Sequence, residues 1–511
     1  MIPSEASAGG VERSHVAAAV RLSDATLVTL SARMPVPTYE RRAGTAAIVH
    51  LGVGGFHRAH QAMYVERLLN AGVSPKWRIC GVGVLASDRP TRQALAAQDH
   101  LYTLVQKHGN GRYEPRVIGA IADYLYGPED PEAVVRRLAD VSTQLVSLTI
   151  TEGGYAIDDV TGQFNPRAPG IADDLEPGAT PRTAIGLLVA ALARRRRAGR
   201  EPFTVMSCDN LPGNGSLTRE SLVSFAGRLD RRLAEWIAHE VRFPNSMVDR
   251  ITPATTEADR EDIRLRLGVD DRWPVVCEPF VQWILEESFG LGGLPLEEAG
   301  VQIVPSVAPY ETMKLRLLNG SHQGLCYFGR LCGFTYIHEA AQDPLLSEFV
   351  RVYMDAEAVP SLDPVPGVDL SAYRDTLIER FSNPHIRDTI ARVAAYTSDR
   401  IPKWVVPVLR HQLEHDGPIG HGAAIIASWA RYAEGIDEQG RPIEVIDRRR
   451  DRMMALAARH GADPVAFISE RELFGDLASS ERFVEAYQAA LRSLHERGAR
   501  RTLEALVTRP V

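Results

Sequence analysis

Residues 45–60 read TAAIVHLGVGGFHRAH. An apolar run ends in Gly52, Gly54 and Gly55. Helical periodicity follows in QAMYVERLLNAG (61–72), with Gly72 as its stop. A short apolar run without alternation is the pattern of a strand buried on both faces, as in a parallel sheet. WRICGVGVLASD (77–88) supplies a second such run, so these segments form one β-α-β unit. Further out, LVSLTI (145–150) and FTVMSCDN (203–210) are strands ending in polar residues, with a helix over 184–199 between them. VVCEPFVQWILEE (275–287) reads as another strand entering a short helix. Strands alternating with helices predict an open α/β sheet.

From about residue 305 the texture changes. Helical periodicity covers 311–330, 371–380, 385–396, 403–414, 421–434, 447–459 and 482–495, and strand signals almost vanish. The predicted division is an α/β domain over 1–304, opening with a tail and short helix over 1–43, and a mostly α-helical domain over 305–511. A chain of 511 residues, 45% hydrophobic and 24% charged, fits two globular domains. The net charge of -7 gives no electrostatic case for nucleic acid or an anionic membrane. Five scattered cysteines form no CxxC pair, so neither a disulfide framework nor a clustered zinc site is indicated. The N-terminus lacks the basic start and apolar run of a signal peptide, and no apolar stretch reaches membrane-spanning length. The expected location is cytoplasmic.

The glycines after the first strand suit a dinucleotide, whose pyrophosphate needs close access to backbone amides. The third glycine of GxGxxG is replaced by His57, so the motif is incomplete. A glycine-rich turn of any α/β protein remains the alternative. Asp88 ends the second run, where an acidic residue accepts hydrogen bonds from the adenosine ribose. That role favours NAD over NADP, because a carboxylate repels a 2'-phosphate. Capping of a neighbouring segment is the alternative role.

ETMKLRLLNGSH (311–322) carries polar groups on an otherwise apolar helix. At about 100° per residue, Glu311, Asn319 and His322 share with Lys314 an arc of about 140°. Met313, Leu317, Gly320 and Gly324 form the opposite, packing face. A lysine becomes a useful base when burial lowers its pKa from about 10.4. Alcohol oxidation needs such a base, with donors for the developing oxygen anion. Asn319 offers one donor, His322 orients a hydroxyl or the lysine, and Glu311 passes the proton outward. A satisfied interdomain network of the same groups is the competing reading. Asn210, at a strand end, adds a second amide or else forms an Asx-turn before Pro212.

Together the stretches GVGGFHRAHQAMY (52–64), TEGGY (151–155), SCDNLPGNG (207–215), FPNSMVDRITP (243–253), EPFVQW (278–283) and KLRLLNGSHQ (314–323) resemble the polyol-specific long-chain dehydrogenase family. The resemblance implies an expanded Rossmann-like domain, a helical second domain, and metal-independent, NAD-dependent hydride transfer in the cleft between them. It implies Lys314 as general acid/base, Asn210 and Asn319 polarising a carbonyl, His322 holding hydroxyls, and Glu311 relaying protons. Asp249 and Arg392 are implied substrate contacts. Gly52, Gly54, Gly55, Phe56, Asp88 and Glu152 are implied on the cofactor side. Members that prefer NAD often carry an acidic pair at the ribose position. Here the pair is Ser87-Asp88, so NADP use is less firmly excluded. The expected reaction is D-mannitol to D-fructose, with D-arabinitol oxidation and fructuronate or tagaturonate reduction as alternatives. A monomer is expected from the resemblance, with a dimer left open.

Overall fold

Ile48–Leu51 (β1) is wholly buried: strands pair along both its edges, and its alternating side chains enter apolar clusters on the two faces of the sheet. The computed structural model describes residues 19–508, apart from 43, 74, 159–161 and 290–293. Ile79–Gly83 (β2), Ile121–Tyr126 (β3), Leu145–Leu148 (β4) and Thr204–Ser207 (β5) complete a five-stranded parallel sheet in the order β3-β2-β1-β4-β5. The chain moves outward from β1 to β3, then returns to start β4 on the other side of β1. The carboxyl ends of β1 and β4 therefore flank a switch-point crevice, where open α/β sheets hold ligands.

Gly55–Ala59 (α1) and Gln61–Asn70 (α2) follow β1, Ala184–Arg197 (α3) precedes β5, and Asn214–Leu229 (α4) follows it. Ser246–Asp249 (β6), Gln282–Glu286 (β7) and Gln302–Val304 (β8) form a smaller sheet, with β7 antiparallel to β6 and parallel to β8. The stretch 275–287 is thus not one strand entering a helix. It holds Val275–Cys277, which pairs with Tyr102–Lys107, and then β7. Pro279 lies between them and has no amide proton to continue a ladder. A three-residue 3-10 turn, Glu287–Phe289, follows β7. The expected N-terminal helix is Asp24–Thr26 running into Leu27–Leu30. The tail residues 1–18 lie outside the described residues.

From Ala308 the chain is helical. Ala308–Lys314 (α5) passes through a π-helical turn, Leu315–Asn319, into Gly320–Leu331 (α6). Leu370–Phe381 (α7), Gly420–Ala433 (α8), Arg450–Ala457 (α9) and Glu481–Val507 (α10) follow among shorter pieces. Their apolar faces meet in one cluster that includes Phe328, Phe349, Trp429 and Tyr487. The helix expected over 385–396 shrinks to Ile390–Val393. Pro384 disfavours helical backbone before it, and Thr389 caps the short helix through the Arg392 amide. The helix expected over 403–414 breaks at Val405, between Pro402 and Pro407. The last helix runs beyond 495 to Val507, kinked at Gly498, whose φ is 83°. No helix among the described residues is long and apolar enough to cross a membrane.

The turn after β1 is sterically demanding. Gly52 has φ +92°, and a Cβ there would lie 2.1 Å from the Thr149 carbonyl oxygen. Gly54 has φ -91°, and the nearest atom to its Cβ would be 4.0 Å away. Gly52→Ala is expected to cost about 2 kcal/mol or more of unfolding free energy. Gly54→Ala should stay within about 1 kcal/mol of wild type. Denaturant titration of both variants checks the contrast, and equal losses would refute the steric argument.

Candidate active site

Two adjoining cavities open at the carboxyl ends of β1, β2 and β4. The first, of about 490 Å³, is lined by Gly52, Gly54, Val84, Asp88, Thr151 and Gly153 among others. The second, of about 500 Å³, contains Asn210, Asp249, Lys314, Asn319, His322 and Arg392. Both are bordered by Gly52, Gly54, Thr149 and Thr151, so they form one continuous cleft. Gly55 and Phe56 line the second cavity. Glu152 has an exposed side chain and lines neither, whereas its neighbours Thr151 and Gly153 do.

In the first cavity, bare backbone at Gly52 and Gly54 leaves room for a bulky anion to approach. His57 explains the missing third glycine. That glycine ordinarily lets helix and strand pack closely. Here the His57 ring is buried and stacked on His50 of β1, with centroids 3.4 Å apart and planes 11° apart. An imidazole pair fills the space that glycine would leave. Asp88 is both a cap and a lining residue: its Oδ2 accepts from the Val84 and Leu85 amides at 2.9 Å each. Across the cavity, Thr151 has φ +60°. Asp209 holds that strained residue by accepting from the Ile150 amide at 2.9 Å and the Thr151 amide at 3.0 Å. The Tyr155 hydroxyl donates to the same carboxylate at 2.6 Å. Burial pushes Asp209 up to about 6 even so.

In the second cavity, Lys314 ends α5 and is buried. Its Nζ donates to Asn210 Oδ1 at 2.7 Å and to the Val248 carbonyl at 2.6 Å. The lysine therefore holds Asn210 by its oxygen and leaves the amide N–H groups to meet another acceptor. Burial lowers the Lys314 pKa. Asp249 opposes that shift, Arg380 adds to it and Glu311 opposes it, and the net direction is down. Asn319 is buried, with its Oδ1 unpartnered among the described residues.

The π-turn changes the expected helix geometry. The Gly320 amide donates to the Leu315 carbonyl five residues back. The wider turn brings Asn319 closer to the Lys314 face than uniform α-helical spacing allows. Gly320 packs so tightly that a Cβ there would meet the Tyr353 hydroxyl at 2.7 Å.

His322 lies against Phe381, with ring centroids 4.3 Å apart. Burial pushes its pKa down to about 4, so the ring is neutral at neutral pH and both donates and accepts. Glu311 accepts from the Gly213 amide at 3.1 Å, and burial pushes it up to about 7. Arg392 is bound by Asp388 through Nε at 2.5 Å and keeps half its side-chain surface exposed.

Asp249 is not a free carboxylate. Arg380 of α7 grips it with two bonds of 2.8 and 3.0 Å. The same guanidinium binds Glu278 at 3.0 and 2.8 Å and lies over the Phe280 ring. Arg380 and Glu278 behind Asp249, and Arg400 and Trp404 lining the second cavity, were missed by sequence reasoning. The only available signal was the EPFVQW stretch, which holds Glu278 and Phe280. Among the described residues, one group of three metal-ligand side chains exists, Glu434, His460 and His495, and none of them lines the cleft.

Comparison with known proteins places the chain in a family. The mannitol dehydrogenase Rossmann domain matches residues 46–298, and the mannitol dehydrogenase C-terminal domain matches 306–495. A mannitol 2-dehydrogenase of Aspergillus fumigatus is 44% identical over 479 residues, 92% of this chain and 95% of the relative. A mannitol dehydrogenase of Saccharomyces cerevisiae is 42% identical over 95% of this chain and 97% of its own. Pseudomonas fluorescens mannitol 2-dehydrogenase, solved with NAD and D-mannitol, superposes with a TM-score of 0.90 at 43% identity, covering 96% of this chain and all of that one. A substrate-free D-sorbitol dehydrogenase gives a TM-score of 0.85 at 36% identity, covering 94% and 100%. Over nearly its whole length, this chain belongs to the mannitol dehydrogenase family.

Proposed function

We propose that the protein is an NAD-dependent polyol dehydrogenase that interconverts D-mannitol and D-fructose at C2, with Lys314 as general acid/base. The observation that carries the reading is the buried Lys314 amine, held by Asn210 and facing the cleft beside the Gly52 turn. The first cavity fits NAD through the glycine cradle and the Asp88 carboxylate. Bound there, NAD supplies the hydride acceptor. Neutral Lys314 takes the hydroxyl proton at Nζ, and the amides of Asn210 and Asn319 donate to the oxygen as it becomes a carbonyl. His322 hydrogen-bonds substrate hydroxyls, and Asp249 and Arg392 read others. Glu311 receives the proton from Lys314 and passes it outward. Reduction runs the same steps in reverse. We also propose a division near residue 304, a monomer, since one chain builds the whole cleft, and a cytoplasmic location.

Arg400 favours a second reading, reduction of fructuronate or tagaturonate. It lines the substrate cavity beside Arg392, is held by the Val393 carbonyl at 2.7 Å, and could meet a carboxylate. An NADH-absorbance assay with fructose, xylulose, fructuronate, tagaturonate and fructose 6-phosphate separates these readings. Highest kcat/KM on fructose is expected, and a uronate preference would reassign the substrate.

Lys314→Ala should lower kcat by about 10³-fold or more in both directions while NADH still binds. Near-normal turnover would sink the base assignment. Asp88→Asn should raise NADP use relative to NAD, read as the ratio of kcat/KM values; an unchanged ratio would assign the ribose to another residue.

The pH dependence has a definite sign. Oxidation needs neutral Lys314 and ionised Glu311, so its rate should rise with pH through about 7. Reduction needs protonated Lys314 and should fall as pH rises through the depressed lysine pKa. Removing Arg380 deletes a positive charge that presses that pKa down and leaves two buried carboxylates unopposed. Arg380→Met should therefore move the oxidation profile to higher pH and cost about 3–5 kcal/mol of stability. A profile that stays in place would show that Arg380 only supports the fold.

A further inference from the structure

Outside the cleft, the C-terminal helices bring together one carboxylate and two imidazoles. Glu434 caps the C-terminus of α8, His460 lies just past the C-terminus of α9, and His495 projects from α10. Glu434 Oε1 lies 3.6 Å from His460 Nδ1 and 3.1 Å from His495 Nε2. That oxygen is buried and makes no hydrogen bond, while Oε2 is taken by Arg431 at 3.0 Å. The two rings stack with centroids 3.9 Å apart and planes 10° apart. We propose that Glu434, His460 and His495 form a zinc site that clamps α8, α9 and α10 together, separate from the dehydrogenase chemistry.

Four features point to a divalent cation. Two imidazole nitrogens and a carboxylate oxygen are the ligand types zinc accepts, with water as a fourth. Glu434 and His460 lie at or just past the C-termini of α8 and α9, the ends of a helix that favour a cation. The unpartnered Glu434 oxygen faces a nitrogen of each stacked ring, so a single divalent ion would meet all three groups. A recess of about 430 Å³ lined by His460 and His495 gives the ion a way in. The ligand atoms lie within 4.8 Å of one another, and about 3.3 Å is needed around tetrahedral zinc. Binding would require the two stacked rings to rotate and His460 Nδ1 to give up its contact with the Ala457 carbonyl at 3.4 Å.

The half-buried His411 and the exposed His415, stacked at 4.2 Å, are a second place where a surface ion could settle, and they supply the control. Chelator-stripped full-length protein titrated calorimetrically with Zn2+ should take up one ion per chain with a rise in Tm. The His460→Ala/His495→Ala double variant should lose both responses, and the His411→Ala/His415→Ala variant should keep them. Glu434→Gln, which retains the shape and the contact to Arg431, should weaken binding at least tenfold. No uptake by the wild type, uptake unchanged in the first double variant, or unchanged affinity in Glu434→Gln would each overturn the proposal. If the double variant fails to fold, Glu434→Gln decides alone.

Discussion

A buried lysine amine beside two carboxylates and an arginine constrains the rest of the molecule. Lys314 belongs to the helical domain, yet its two partners, Asn210 in the loop after β5 and the Val248 carbonyl within β6, come from the other domain. Arg380, also helical, grips Asp249 and Glu278 from the other domain. Counting these four charges, two positive and two negative, the cluster is neutral when the lysine is protonated and carries one excess negative charge when it is not. Burial favours loss of the proton, and Asp249 favours its retention. An acid/base group needs this tension, because it must hold and release a proton within one cycle. The same interactions fix how the two domains meet.

Much of the α/β frame was legible because its causes are local. A strand buried on both faces leaves an unbroken apolar run, and the positive φ of Gly52 leaves a glycine. The lysine-asparagine-histidine spacing was legible for the same reason. Its geometry was not. A wheel at uniform pitch cannot show the extra residue of a π-turn, which is packed against Tyr353, far along the chain. Arg380, Arg400 and Trp404 were invisible because no motif includes them; tertiary folding alone puts Arg380 against Asp249 and brings Arg400 and Trp404 to the cleft. His57 looked like a broken motif until its stacking on His50 showed what occupies the glycine's place. Proline explains the misplaced helices: the amide protons missing at Pro279, Pro402 and Pro407 interrupt patterns that periodicity alone continues.

Two local irregularities border the same cleft. Thr151 holds a positive φ without being glycine, at a cost on the order of 1–3 kcal/mol. The π-turn gives up regular α-helical bonding between Lys314 and Gly320. Each is held by buried partners, Thr151 by Asp209 and the π-turn by the apolar cluster around Phe328 and Phe349. Relaxing either would improve local geometry and misplace a group facing the cleft: Thr151 beside the glycine turn, or Asn319 beside Lys314. The surrounding core therefore has to be rigid where the cleft is strained. α8 packs on α6, the helix that continues the π-turn, and the long α10 packs on α8 in turn. A cation joining α8, α9 and α10 would reinforce the element that the cleft depends on without touching the groups that do the chemistry.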